Sequence, residues 1–139
     1  MLERTFCMIK PDGVARGLVD GIKQRIEKSG LKIVKSRDLT VSEEQARKLY
    51  AVHKEKPFYS GLVKLITSGP SHAIEIEGEN AVSRLRKLMG ATDPRQADPG
   101  TIRGDYQEDN IYTADGTMKN VIHGSDCTEN AKHEAAIFF

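Results

Sequence analysis

Asn120-Val121-Ile122-His123-Gly124-Ser125-Asp126 sets one histidine among small and polar residues near the end of a 139-residue chain. An imidazole so flanked can be held rigidly and still be reached, as a base, a metal ligand or a nucleophile. Gly124 and Ser125 leave room beside the ring. Glu134, in the helical pattern that follows, can orient it directly or through Ser125. A ring with one nitrogen fixed presents the other to a substrate. The other three histidines have weaker claims: His53 falls in the charged run His53-Lys54-Glu55-Lys56, read as a solvated face, and His133 reads as surface. No pair has the spacing of HExxH, so no zinc site is expected.

The cations are the second constituent. Lys10 follows a buried strand and precedes Pro11, which fixes its backbone. Arg86 lies on a helix, and Arg103 sits in Gly100-Thr101-Ile102-Arg103-Gly104-Asp105, where glycines allow close approach of a ligand. A surface salt bridge is the plain alternative for each one alone. Together with a reactive histidine they point to a polyanion. Phosphate is the common one that suits both a compact ammonium and planar guanidiniums. There is no GxxxxGK[ST], HRD or DFG, so a phosphate site must be assembled from separated elements. Tyr50 and Phe58 bracket a break at Pro57 and can line a planar ligand, although a core role suits Phe58 equally well.

These residues need a scaffold. Thr5 to Ile9 reads as a buried strand ending in a turn at Lys10-Pro11-Asp12-Gly13. Leu18, Ile22 and Ile26 form one helical face, stopped by Gly30, and Leu31 to Leu39 supplies a second strand. Ser42-Glu43-Glu44-Gln45 resembles a capping box. A helical segment around Leu62 to Ile66 ends near Gly69-Pro70. Ala73 to Glu77 alternates in polarity, as a strand with one wet face does, and Glu79 to Met89 is helical. From Gly90 to Lys119 no period persists. Val121-Ile122 is a short strand, Thr128 to Ala136 a last helix, and Ile137-Phe138-Phe139 an apolar end that packs down. This order fits an α+β ferredoxin-like sandwich, a four-stranded antiparallel sheet with helices on its faces, over a single domain 1–139. A doubly wound parallel sheet is the runner-up, and it wants more long apolar strands than the chain has.

With the motifs set out, the chain closely resembles the nucleoside diphosphate kinase family over essentially its whole length. The histidine block carries the likeness. So do Lys10-Pro11-Asp12-Gly13, Lys56-Pro57-Phe58-Tyr59, Ser68-Gly69-Pro70, Gly90-Ala91-Thr92-Asp93-Pro94 and Pro99 to Asp105, in that order. The resemblance implies a ping-pong transfer. His123 attacks the γ-phosphate of a nucleoside triphosphate through Nδ1 and passes the phosphoryl group to a nucleoside diphosphate. It further implies that Lys10, Arg86, Thr92 and Arg103 bind phosphates, and that Lys10 and Asn120 also contact the sugar. Phe58 would stack on the base, Tyr50 would support the phosphate end, and Glu134 and Ser125 would orient His123. Magnesium would bridge the phosphates rather than occupy a protein cage. A homo-oligomer is implied, with a hexamer slightly favoured over a tetramer or dimer. A nucleotide-binding regulatory domain without chemistry is the alternative function.

Two departures from the family pattern stand out. Tyr106 to Lys119 is expanded by about half a dozen residues, and Ala114-Asp115-Gly116-Thr117 reads as a tight turn of a small hairpin or a disordered loop. Asp93 replaces a frequent asparagine, which reads as a minor change. The sequence also lacks the longer tail that braces many hexameric members. Bulk properties agree with the catalytic reading. A net charge of +1 does not suggest a nucleic-acid binder. No apolar run approaches the ~20 residues of a membrane span. Cys7 and Cys127, far apart, read as buried free thiols, and a cytoplasmic location follows weakly.

Overall fold

A computed structural model describes all residues 1–139. Its centre is β1 (Leu2–Ile9), an eight-residue strand whose last five residues are buried. It pairs antiparallel with β3 (Ser71–Glu79), from Leu2 opposite Glu79 to Ile9 opposite His72. On its other side it pairs with β4 (Ile122–Gly124), so that Met8 faces His123. The edge strand β2 (Lys32–Leu39) pairs antiparallel with β3, giving the order β2-β3-β1-β4. Every pairing is antiparallel, as the ferredoxin-like arrangement requires, and the doubly wound alternative is excluded.

The sheet is covered on both faces. Odd and even residues of β1 point to opposite sides. Cys7 and Ile9 join a core with Ile74, Ile76, Leu85 and Ile122, together with Ile22 and Ile26 of α2 (Val19–Lys28). Phe6 and Met8 join another with Leu49, Tyr50, Ile66, Ala131 and Phe138. That second core rests on α3 (Glu43–Leu49), α4 (Tyr59–Ile66) and α7 (Thr128–Phe138). The wet face expected of Ala73 to Glu77 is thus only partial. Ala73 is buried under the second layer, while Glu75 and Glu77 keep some exposure beside Arg4.

Local signals mostly hold. Ile22 and Ile26 supply the buried stripe of α2, with Leu18 half-buried just before it, and Gly30, at φ 91°, turns the chain out of it. Ser42 and Gln45 form both bonds of the capping box on α3. The stacked pair Phe6 and Phe138, 5.5 Å between centroids, ties the chain's end onto β1. Lys10 to Gly13 is not a free turn. Pro11 starts α1 (Pro11–Ala15) at its first position, where a missing N–H costs nothing. α5 (Ala81–Met89) follows β3 directly. The aperiodic stretch after it holds a 3-10 turn (Pro94–Gln96), α6 (Ile102–Asp105) and a hairpin in which Tyr112 bridges Met118. These pieces are too short to express a hydrophobic period. Cys127 is exposed rather than buried, because its thiol caps α7 by accepting from the Asn130 N–H at 3.5 Å.

Candidate active site

The site lies where the C-terminal end of β1 meets β4. Its centre is His123, whose side chain stays about one-fifth exposed between the rings of Phe6 and Tyr50, each 6.3 Å away between centroids. Nε2 lies 2.5 Å from Oε1 of Glu134, and the same oxygen accepts from the Ser125 hydroxyl at 3.0 Å. With Nε2 carrying the proton toward the carboxylate, Nδ1 is the bare nitrogen, and it has no hydrogen-bond partner in the chain. Ser125 is held in turn by its own N–H on the Phe6 carbonyl at 3.0 Å.

The backbone ahead of His123 is strained. Val121 has φ 71°, a conformation that β-branched residues rarely adopt. The Ile122 N–H donates to the Asn120 carbonyl at 2.8 Å, closing a three-residue γ-turn around Val121. Both polar groups of Val121 are clamped. Its N–H donates to Asp12 Oδ2 at 2.9 Å, and its carbonyl accepts from the Lys10 N–H at 2.8 Å. The turn re-aims the chain so that Asn120 and His123 both serve one cleft.

Cations converge on that cleft. Lys10, 5% exposed, donates from Nζ to Asn120 Oδ1 at 2.8 Å, and the Asn120 amide donates to the Thr92 carbonyl at 3.1 Å. Burial pulls the Lys10 ammonium down to about 8; Asp12 opposes that shift and Arg103 adds to it. Arg103 is buried as well and donates to the carbonyls of Asn120, Gly90 and Ile122 at 3.1, 3.2 and 2.6 Å. Burial and the charge of Arg86 bring it down to about 10. Those bonds use three of its five N–H groups and leave two for a ligand. Arg86 donates to the carbonyl of Gly124, the residue after His123, at 3.2 Å. The Tyr50 hydroxyl is buried without a partner, and burial, reinforced by Glu134 and Asp12, raises its pKa. A buried hydroxyl without a partner is a donor available to an arriving anion.

The sequence-derived set is thus brought together, with Thr92 and Phe58 at its more exposed rim; Phe58 is 49% exposed. Three further residues belong to the site. Asp12 clamps the γ-turn, and its role was hidden inside a turn signal. Val121 read as an ordinary strand residue, since backbone strain leaves no mark in composition. His53 is not on a solvated face. Its ring packs 5.4 Å from Phe58 and 6.4 Å from Tyr50, and burial, then Lys56 and His123, lowers its pKa. His72 is buried opposite Ile9 on β3, on the other side of β1 from β4, and is bonded through Nδ1 to Asp38 at 2.7 Å. No group of three or more His, Cys, Asp or Glu side chains can cage a metal. Asp12 does keep one buried, unpartnered carboxylate oxygen, Oδ1. That donor set fits a magnesium ion held mainly by the phosphates of a nucleotide.

A family model described as nucleoside diphosphate kinase matches residues 3–139. A nucleoside diphosphate kinase of Halalkalibacterium halodurans is 51% identical over 99% of this chain and 89% of its own length. One from Synechococcus elongatus is 53% identical over 99% and 88%. Among solved structures, a halophilic nucleoside diphosphate kinase from Halobacterium salinarum in complex with CDP superposes with a TM-score of 0.90, at 48% identity, covering 100% of this chain and 88% of that one. The Borrelia burgdorferi enzyme, a transition state mimic with bound vanadate and ADP, gives 0.91 at 36% identity, over 99% and 87%.

Proposed function

The chain belongs to the nucleoside diphosphate kinase family, and on that footing we propose how the residues around His123 divide the work. The reaction is reversible transfer of the γ-phosphate of a nucleoside triphosphate to a nucleoside diphosphate, by a ping-pong route through phosphohistidine at His123. In the first half, His123 Nδ1 forms a bond to the γ-phosphorus as the bond to the β–γ bridging oxygen breaks, and the diphosphate leaves. In the second, a β-phosphate oxygen of the acceptor attacks the same phosphorus and the P–N bond breaks.

The observation that carries the assignment is the Glu134 bond to Nε2, which leaves Nδ1 as the nucleophile. Ser125 keeps Glu134 in place. Lys10, Arg86, Arg103 and Thr92 bind the phosphates, and the free Tyr50 hydroxyl donates to them. Lys10 and Asn120, already bonded to each other, meet the sugar, and Phe58 stacks on the base. Transfer needs alignment and fixed positive charge where charge spreads, which buried cations supply without reorganising. Magnesium carried in on the nucleotide would be held mainly by its phosphates, with Asp12 Oδ1 the site's unpartnered carboxylate oxygen, and would supply positive charge to them.

We read residues 1–139 as one such domain, since both cores share the one sheet. The family's homo-oligomeric habit extends to this chain, and we favour a hexamer over a tetramer or a dimer. The exposed Met1 and Leu2 and the free edge of β2 are surface that assembly would cover. No helix is long and apolar enough to cross a membrane. We assign the protein to the cytoplasm, supported by its two free thiols.

Mass analysis after mixing with ATP, followed by a chase with GDP, tests the function. One acid-labile phosphoryl group should appear and then vanish on GDP addition. His123→Ala should keep the fold and take up none. A folded His123→Ala variant that still exchanges phosphate would remove His123 as nucleophile.

A further inference from the structure

The expanded segment folds as a hairpin with its own internal lock. The Thr113 N–H donates to the Thr117 carbonyl at 2.8 Å, and the Gly116 N–H donates to the Thr113 carbonyl at 3.0 Å. Asp115 Oδ1 gathers the tip, accepting from the Thr113 hydroxyl, from the Thr117 hydroxyl at 3.0 Å and from the Thr117 N–H at 3.4 Å. Asp115 Oδ2 is left with no hydrogen-bond partner in the chain.

The hairpin is anchored at two places, on α4 just after Phe58 and on the turn just after Thr92. At one end it lies on α4, where a Cβ on Gly61 would overlap the Thr117 hydroxyl, so glycine alone allows the approach. Asp115 Oδ2 lies 3.8 Å from the same point. Gly61 is three residues beyond Phe58, so the two share one helix face a turn apart. At the other end Arg95 donates to the Tyr112 hydroxyl at 3.1 Å, with its guanidinium 5.5 Å from that ring's centroid. Arg95 is itself fixed by a forked pair to Asp93 at 2.8 and 3.1 Å. The Asp93 exchange is therefore more than minor, because its carboxylate anchors the hairpin next to Thr92.

We propose that this hairpin reads the outer edge of the nucleobase through Asp115 Oδ2, favouring bases with an exocyclic amino group over those with a carbonyl at the same place. The proposal rests on the reading that the base stacks on Phe58. Stacking alone separates neither cytosine from uracil nor adenine from hypoxanthine, which match in size and π-face. An ionised carboxylate only accepts hydrogen bonds, so it pairs with an amino N–H and repels a carbonyl lone pair. Its ionised form is favoured by the hydrogen bonds from Thr113 and Thr117 and, more weakly, by Lys64 further along α4. A charge-assisted bond at this exposed position, weakened by competing water, gives about tenfold discrimination.

The test phosphorylates the whole protein with ATP, isolates it and measures second-order dephosphorylation by CDP, UDP, ADP and IDP. CDP should outpace UDP, and ADP should outpace IDP, each by about tenfold. Asp115→Asn, which presents an amide N–H, should bring both ratios to one or invert them. Gly61→Ala, which lifts the hairpin from α4 while keeping Asp115, should level them too. Equal rates within both pairs in the unmodified protein, or ratios that Asp115→Asn leaves unchanged, would overturn base reading while the phosphohistidine mechanism stands. If no phosphoprotein forms, the mechanism itself is wrong and base reading falls with it.

Discussion

Glu134 and His123 meet at 2.5 Å across two elements, a helix and an edge strand, and that contact occupies Nε2 and leaves Nδ1 without a partner. The carboxylate sits on α7, whose position is fixed by Phe138 stacking on Phe6, so core packing and nucleophile orientation are mechanically joined.

Glu134→Ala should slow phosphohistidine formation by about a hundredfold, the scale of a misaligned reacting group. It also strands the Ser125 hydroxyl and His123 Nε2, at a cost of about 1–3 kcal/mol in stability. Glu134→Gln keeps an acceptor oxygen and should retain much more of the rate. Rapid-quench measurement of the phosphorylation step, beside a denaturation curve, separates the two effects. Equal rates for the Ala variant and the unmodified protein would show that the contact orients nothing.

Lys10 supplies a pH signature. Its folded pKa, about 8, lies below the ordinary lysine value of 10.5 because of burial. The unfolded chain therefore holds more protons between those values, and stability contributed by this group rises as pH climbs from about 8 toward 10.5. Below pH 8 the charge is kept at a cost of roughly 3 kcal/mol, and an arriving phosphate offsets it. Nucleotide binding near pH 8 should take up a proton and weaken as pH rises further. Calorimetry in buffers of different ionisation enthalpy reads that uptake directly. The uptake should vanish in Lys10→Met.

Much of this site was legible from residue types alone, because phosphate chemistry requires few kinds of side chain. His123, Lys10, Asn120 and Arg103 stand out as polar groups beside glycine and proline in short motifs. The strand and helix around Thr5 to Gly30 also follow from their periods. What could not be read depends on tertiary contact. Ala73 and Glu75 share a face of β3, yet only Ala73 lies beneath the second core. His53 sits in a charged run, yet the break at Pro57 folds it back against Phe58. The hairpin was one of two readings because its order comes from Gly61 and Arg95, neither adjacent to it in sequence.

Asp12→Ala tests the strained turn. The buried Val121 N–H would lose its partner, with about 1–3 kcal/mol of stability, and the backbone would relax from φ 71°. Since Asn120 and His123 flank that turn, kcat should fall by one to two orders of magnitude, roughly what a 1 Å displacement costs. Asp12→Asn preserves an acceptor for the N–H and should recover most of the stability. The separation is read from Tm and from single-turnover rates. A variant with lowered Tm and unaltered turnover would confine Asp12 to folding.

Arg103→Ala should remove activity and stability together, because one guanidinium serves two tasks. Three of its N–H groups hold the carbonyls of Asn120, Gly90 and Ile122, and those acceptors sit on the segments that frame the nucleophile. Losing them costs about 2–4 kcal/mol. The remaining N–H groups are the ones available to phosphate, so the surviving folded fraction should still transfer at least a hundredfold more slowly. Arg103→Lys is the sharper probe. A single ammonium cannot span three carbonyls, yet it keeps the charge, so it should recover more of the phosphate affinity than of the Tm. Loss of Tm in both variants with an unchanged KM in the folded fraction would mean that Arg103 acts on the backbone alone, and that Lys10 and Arg86 carry the phosphates without it.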